Sequence, residues 1–180
     1  MKKVAILRGI NVSGHKKIKM EDLKKMFEDS GCTDVTTYIQ SGNVIFNSEI
    51  DNNSELKQIL EKAIKDTFGF DVPVIIRSHE DLQNILNNTP CGSINLEADG
   101  AKYLLTMLAE APDTDKVETL MSYVKEPEQL VVKEENIYLY CPNGYGETKL
   151  SNVFIEKKLG VQATTRNWKT ITKLHDMCEG

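Results

Sequence analysis

The chain has 180 residues, 40% of them hydrophobic, enough apolar side chain to bury a real core and too much for a disordered segment. Its 27 acidic and 22 basic residues leave a net charge of −5. That excludes a protein that coats nucleic acid nonspecifically, because such affinity comes from a surplus of Lys and Arg neutralising phosphates. In chain order, Lys3 to Arg8 reads as a short buried strand, and Met20, Leu23, Met26 and Phe27 recur at helical spacing before Gly31 stops them. Val35 to Gln40 and Asn43 to Asn47 flank Ser41-Gly42 and predict a hairpin with a two-residue connection. Leu56, Ile59, Leu60, Ala63, Ile64 and Phe68 make the stripe of a second helix, closed by Gly69. Val72 to Arg77 is the next strand, and Ser78 with Asp81 reads as a capping box that opens a short helix.

The order strand, helix, strand, strand, helix, strand is the split βαβ unit of ferredoxin-like folds. The second half repeats it. Lys102 to Leu108 is a strand; Asp113 caps a helix carrying Val117, Leu120, Met121 and Val124; Gln129 to Lys133 and Ile137 to Cys141 form a hairpin. Leu150, Val153 and Phe154 mark a helix closed by Gly160, Val161 to Arg166 is the last strand, and Trp168, Ile171 and Leu174 lie on a final helix. "VPVIIRS" and "VQATTRN" correspond, each placing Arg between a strand and a helix. The expectation is an α+β protein of tandem ferredoxin-like repeats, two antiparallel sheets with helices on one face. Residues 1–88 form the first half, 89–100 a polar linker, and 101–180 the second half with its C-terminal helix.

Cys32, Cys91, Cys141 and Cys178 are far apart with no C-x-x-C pair, so reduced, structural thiols are expected rather than a zinc ribbon or disulfide scaffold. No run approaches the roughly 18 apolar residues of a membrane span. The apolar run from Val4 to Leu7 is also too short for a signal peptide. A cytoplasmic protein with no membrane partner is expected.

The stretch "LRGINVSGHKK" is the first candidate site. About ten residues separate Arg8 from the helix at Met20, longer than the usual two to six for such a connection. Gly9 and Gly14 let a ligand approach the main chain, Arg8, His15, Lys16, Lys17 and Lys19 supply positive charge, and the following helix offers free N–H groups at the same end. The glycine spacing matches a P-loop, but His15 stands in the lysine position and no Ser or Thr follows, so that route to NTP hydrolysis is not expected. In a split βαβ unit the first strand ends beside the hairpin turn. Arg8, Gly9, Asn11, Gly14, His15 and Lys16 should therefore meet Gln40, Ser41 and Asn43, in a pocket for a phosphate or carboxylate. A plainer reading has Gly14 turning the chain and Asn11 capping loop backbone.

Two segments, "ILRGINVSGHKKIKMEDLKKMFEDSGCTDVTTYIQSGNVIF" and "KLSNVFIEKKLGVQATTRNWKTITKL", resemble the bacterial family called domain of unknown function 1697. Its "RGINVGG", "YIQSGNV" and "ATTRNW" segments are matched here except that Ser13 replaces a glycine, which disfavours unusual backbone angles at that position. The resemblance implies the tandem ferredoxin-like fold and implies no activity, catalytic residue or cofactor.

A second candidate site gathers Lys149, Asn152, Thr164, Thr165, Arg166, Asn167 and Trp168, with Arg166 forking onto an anion. The competing reading has Asn167 capping the last helix and Trp168 filling core. Tyr138 and Tyr140 fall on one sheet face, where RNA-recognition motifs stack bases, but the flanking pattern of that motif is absent, so a nucleic-acid partner is possible and not favoured. His15, His79 and His175 show no metal-ligand spacing with one another or with cysteine; His79 is placed in a helix's first turn and His175 at the surface. The favoured function is binding of a small anionic ligand, phosphorylated or nucleotide-like. Nucleic-acid contact, or assembly with a protein partner, is the alternative.

Overall fold

A computed structural model describes residues 1–180. The chain forms two compact units, Met1–Gln83 with Leu174–Gly180, and Asn84–Lys173. The repeat-based halves end at residue 88; the compact units divide inside the helix after the fourth strand, and the last turns of the C-terminal helix return to the first unit.

In the first unit, β1 (Lys2–Leu7), α1 (Met20–Asp29), β2 (Thr33–Tyr38), β3 (Asn43–Asn47), α2 (Asn53–Phe68) and β4 (Val74–Ser78) follow the expected order. The strands pair antiparallel in the order β2-β3-β1-β4, the ferredoxin-like arrangement. Alternation along the strands sends Ala5, Leu7, Val44, Phe46, Val74 and Ile76 into one core with Leu23, Met26 and Phe27 of α1 and Leu56, Leu60 and Ile64 of α2. Phe27 meets Phe46 edge-on at 5.3 Å, an arrangement worth about 0.5–1.5 kcal/mol beyond area burial. The opposite strand residues Val4, Ile6, Ile45 and Ile75 are also buried.

Lys3 shares the α1/α2 face and is only 2% exposed. Its three ammonium donors are satisfied: Nζ donates to the carbonyls of Ile50 and Asp51, both at 2.9 Å, and to Asn53 Oδ1 at 2.7 Å. That clamps the entry to α2, where Asn52 Oδ1 accepts from the Ser54 and Glu55 amides. At the other end Gly69 takes a left-handed conformation.

After β4, α3 (His79–Asn87) opens on a reciprocal capping box: Ser78 N donates to Asp81 Oδ2 at 2.8 Å and Asp81 N to Ser78 Oγ at 3.0 Å. The expected polar linker contains a short helix, α4 (Leu96–Asp99), capped by Asn95.

The second unit holds β5 (Tyr103–Leu108), α5 (Thr114–Met121), β6 (Gln129–Lys133), β7 (Asn136–Tyr140), α6 (Asn152–Leu159), β8 (Ala163–Asn167) and the start of α7 (Trp168–Glu179), whose residues from Leu174 on belong to the first unit, with strand order β6-β7-β5-β8. Leu104, Leu108, Ile137 and Leu139 pack with Leu120, Ile155 and Leu159. Arg77 and Arg166 occupy the same place in the two repeats, fourth in β4 and in β8. Asp113 stands at the N-cap of α5, though its side chain makes no capping bond.

One expected turn differs. Four residues, Ile39 to Gly42, join β2 to β3 instead of two, because Ile39 (φ +52°) and Gly42 (φ +88°) both turn left-handed and end β2 at Tyr38. A Cβ built on Gly42 would lie 2.6 Å from Ile10 Cδ1 and 3.0 Å from Leu7 Cβ. Gly42→Ala should therefore cost about 2–4 kcal/mol, overpacking added to backbone strain. Gly31→Ala (φ +93°), where a Cβ meets nothing within 4 Å, should cost only about 1 kcal/mol. Urea denaturation of the two variants checks the difference.

All four cysteines are free, and burial pushes the Cys32, Cys141 and Cys178 thiols up to about 11. Cys91 is half-buried. In the native protein a disulfide reagent at neutral pH should label Cys91 first and the other three only on unfolding. The raised thiols favour the folded state below pH 9, and that contribution should fade as pH rises from 9 toward 11, read by denaturation at stepped pH.

Candidate functional site

Three connections meet at one edge of the first sheet. β1 is central, so the register that pairs Ile6 with Asn43 and Leu7 with Val74 brings the end of β1 beside the starts of β3 and β4. Leu7 N donates to Gly42 O at 2.9 Å and Arg8 N to Pro73 O at 3.0 Å. The meeting of Arg8 with the Gln40 to Asn43 turn follows from the sequence. The third partner, the connection through Asp71 and Pro73, does not follow from motif spacing, although the start of a fourth ferredoxin-like strand must lie at this edge.

Asn11 organises the loop. Its Nδ2 donates to Gln40 O at 2.8 Å and Ile18 O at 3.0 Å, and its Oδ1 accepts from Ile18 N at 2.8 Å. The main chain closes on itself through Asn11 N to Lys16 O at 3.1 Å and His15 N to Val12 O at 2.9 Å. Left-handed backbone recurs at Gly9, Asn11, Ser13, Gly14 and Lys16. Ser13 thus keeps a φ of +50° despite its side chain, against the sequence expectation, because the turn it occupies is closed on both sides by these bonds. Val12, Ser13, Gly14 and His15 are exposed; Val12 and His15 pair as an isolated antiparallel bridge, and the N–H groups of Ser13 and Gly14 in the turn between them have no backbone partner.

Lys16 Nζ donates to Asp71 O at 2.6 Å, which draws one cation toward the third connection. The helix start beyond the loop has Lys19 at its N-cap without a side-chain cap, and Glu21 and Asp22 in its first turn, carboxylates that compete with any anion there. The tip of the loop, rather than the helix end, is the better place for negative charge. Asn43 is fully buried, its Nδ2 donating to Tyr38 O at 2.8 Å and Ser41 Oγ at 3.1 Å, so it holds the turn instead of facing a ligand. Gln40 is exposed and lends its carbonyl to Asn11.

The residues of the second candidate site do not converge. Asn152 Oδ1 accepts from Thr165 Oγ1 at 2.9 Å, Asn152 Nδ2 donates to Ala163 O at 2.9 Å, and its amide donates to the Tyr145 hydroxyl at 2.6 Å. Thr165 also bonds Thr106 at 2.7 Å. Arg166, next along β8, faces the other side of the sheet by strand alternation, donating to Thr165 O at 3.0 Å, with burial lowering its guanidinium to about 10. Lys149 stands 4.9 Å over the Tyr123 ring. Thr164 is buried, Asn167 Oδ1 caps α7 at Thr170 N, and Trp168 is buried 6.1 Å from Tyr138. These side chains knit the unit together. Tyr145, whose hydroxyl anchors α6, was missed because it lies in an irregular Gly-rich segment.

Tyr138 is 5% exposed and donates its hydroxyl to Ile85 O at 3.1 Å, while Tyr140 stacks on Tyr103 at 4.6 Å. The buried Tyr138 offers no face for base stacking.

Sequence comparison matches the family described as "Protein of unknown function (DUF1697)" over residues 1–138. The chain is a DUF1697 protein. The "ATTRNW" segment lies beyond the matched range. The solved structure of the conserved bacterial protein SP0830 from Streptococcus pneumoniae is similar to this DUF1697 chain, with a TM-score of 0.77 and 26% sequence identity over 99% of this chain and 98% of that one. No curated protein matches.

The Asn11 bonds make a direct test of the loop's rigidity. Asn11→Ala removes three side-chain hydrogen bonds, each worth about 1 kcal/mol. Hydrogen exchange at residues 9–18 should accelerate by roughly tenfold or more while the β1 and β3 amides keep their protection.

Proposed function

We propose that this DUF1697 chain binds a small anionic ligand, phosphorylated or nucleotide-like, at the tip of the Arg8 to Lys17 loop beside Gln40 and Ser41. One observation carries the reading: two consecutive exposed amides, Ser13 and Gly14, lack backbone partners at the tip of a turn closed by the Val12–His15 bridge, in a loop whose conformation is already fixed by Asn11. Preformed N–H groups accept an anion without the entropy of ordering a loop, and Arg8, His15 and Lys17 add charge around them. Binding of this kind rests on charge-assisted hydrogen bonds and positioning. Any chemistry on the bound anion would proceed by charge stabilisation.

The same reading places the protein in a bacterial cytoplasm. The four free thiols and the bacterial structural relative support it, and no helix is long and apolar enough to cross a membrane.

Thermal unfolding in the presence of inorganic phosphate, pyrophosphate, ATP and sugar phosphates tests the site. A ligand at about 100 times its Kd adds roughly 2.7 kcal/mol, a rise of about 5–10 °C for a chain of this length. The rise should disappear in Lys17→Glu, which reverses an exposed charge, and shrink in Arg8→Ala. No shift with any anion, or equal shifts in wild type and Lys17→Glu, would overturn the proposal.

A further inference from the structure

We propose that His79, His175 and Glu179 form a binding site for a divalent transition metal ion in the first unit. Nothing in their local spacing suggests it: His79 opens α3, while His175 and Glu179 lie one turn apart on the last helix. The fold brings them together. One ligand atom from each lies within 4.8 Å of the others, and the two imidazole rings stack with centroids 4.8 Å apart and planes at 24°. His175 was expected at the surface; it is 7% exposed because α7 returns its last residues to the first unit.

The donor set is that of a metal centre. Two imidazoles and one carboxylate are a standard zinc set that leaves a fourth position for water or substrate, and they suit other first-row divalent ions. Tetrahedral zinc, with bonds of about 2.0–2.2 Å, holds its ligand atoms about 3.3–3.5 Å apart. Side-chain rotation closes the remaining gap, since Glu179 is exposed and His79 half-buried. Two further observations point the same way. His79 Nε2 is shielded from solvent and has no hydrogen-bond partner, the state of a ligand nitrogen awaiting its ion. His175 Nε2 lies 2.8 Å from Gln83 Oε1, so the ring donates there and carries its lone pair on Nδ1. An amide acceptor that fixes tautomer and ring orientation is the usual outer partner of a ligating histidine. Gln83 follows His79 by one helical turn, so α3 supplies both a ligand and the support for the other. Asp176, with Oδ1 3.6 Å from His175 Nδ1, adds negative charge that favours a cation.

The test uses the full chain without a histidine tag, stripped with a chelator and titrated with zinc chloride by calorimetry, then with cobalt to read the d–d absorption of the bound ion. Wild type should take up one zinc per chain and give a cobalt spectrum of nitrogen and oxygen ligation. His79→Gln and Glu179→Gln keep side-chain volume at half-buried and exposed positions, and each should weaken zinc binding at least about tenfold with unchanged far-ultraviolet circular dichroism. Gln83→Ala should weaken it while keeping one ion per chain. Wild type that takes up no stoichiometric zinc, or variants that bind as wild type does, would overturn the site.

Discussion

The position of β1 between β3 and β4 is the constraint on which the first unit depends. Its two ladders fix where the chain leaves the sheet, and so force the connections after β1, before β3 and before β4 onto one edge. The closeness of that meeting explains Gly42, whose missing Cβ makes room for Ile10 and Leu7, and Asn11, whose side chain ties the loop to the hairpin turn. The exposed amides at the loop tip follow from those ties: a segment held at Asn11, Lys16 and Ile18 and closed by the Val12–His15 bridge leaves only Ser13 and Gly14, at its turn, without a backbone partner.

The second unit repeats the ladders without the loop. Leu108 N donates to Glu135 O and Ala109 N to Gln162 O, the counterparts of the Leu7 and Arg8 bonds, yet the chain enters α5 at Thr114 after five residues. One topology thus carries a long connection, the one proposed to bind an anion, in one copy and a short one in the other. Sites of this kind belong to the segments grafted on a fold, not to the fold itself.

Period and punctuation made the architecture legible: strand runs and helical stripes match the elements to within a few residues, and Gly31, Gly69 and Gly160 at helix ends and the Ser78-Asp81 box stand where the residues placed them. The loop's meeting with Gln40 was legible because it is a consequence of topology. What stayed hidden depends on long-range partners. The partners of the Lys3 ammonium, the carbonyls of Ile50 and Asp51, lie far along the chain, and Ser41-Gly42 reads as a two-residue turn until Asn43 ties back to Tyr38. Asn152, Thr165 and Arg166 look like one constellation in sequence, but strand alternation sends Arg166 to the other face. The His79 and His175 stack joins a residue near mid-chain to one near the C-terminus, beyond any motif window.

The central claim is that the loop tip receives an anion on preformed amides. Amide chemical shifts of the labelled protein titrated with pyrophosphate measure this most directly. The account predicts saturable shifts centred on Ser13 and Gly14, with the β5 to β8 amides unmoved. Shifts confined to other surfaces, or none at saturating pyrophosphate, would contradict it.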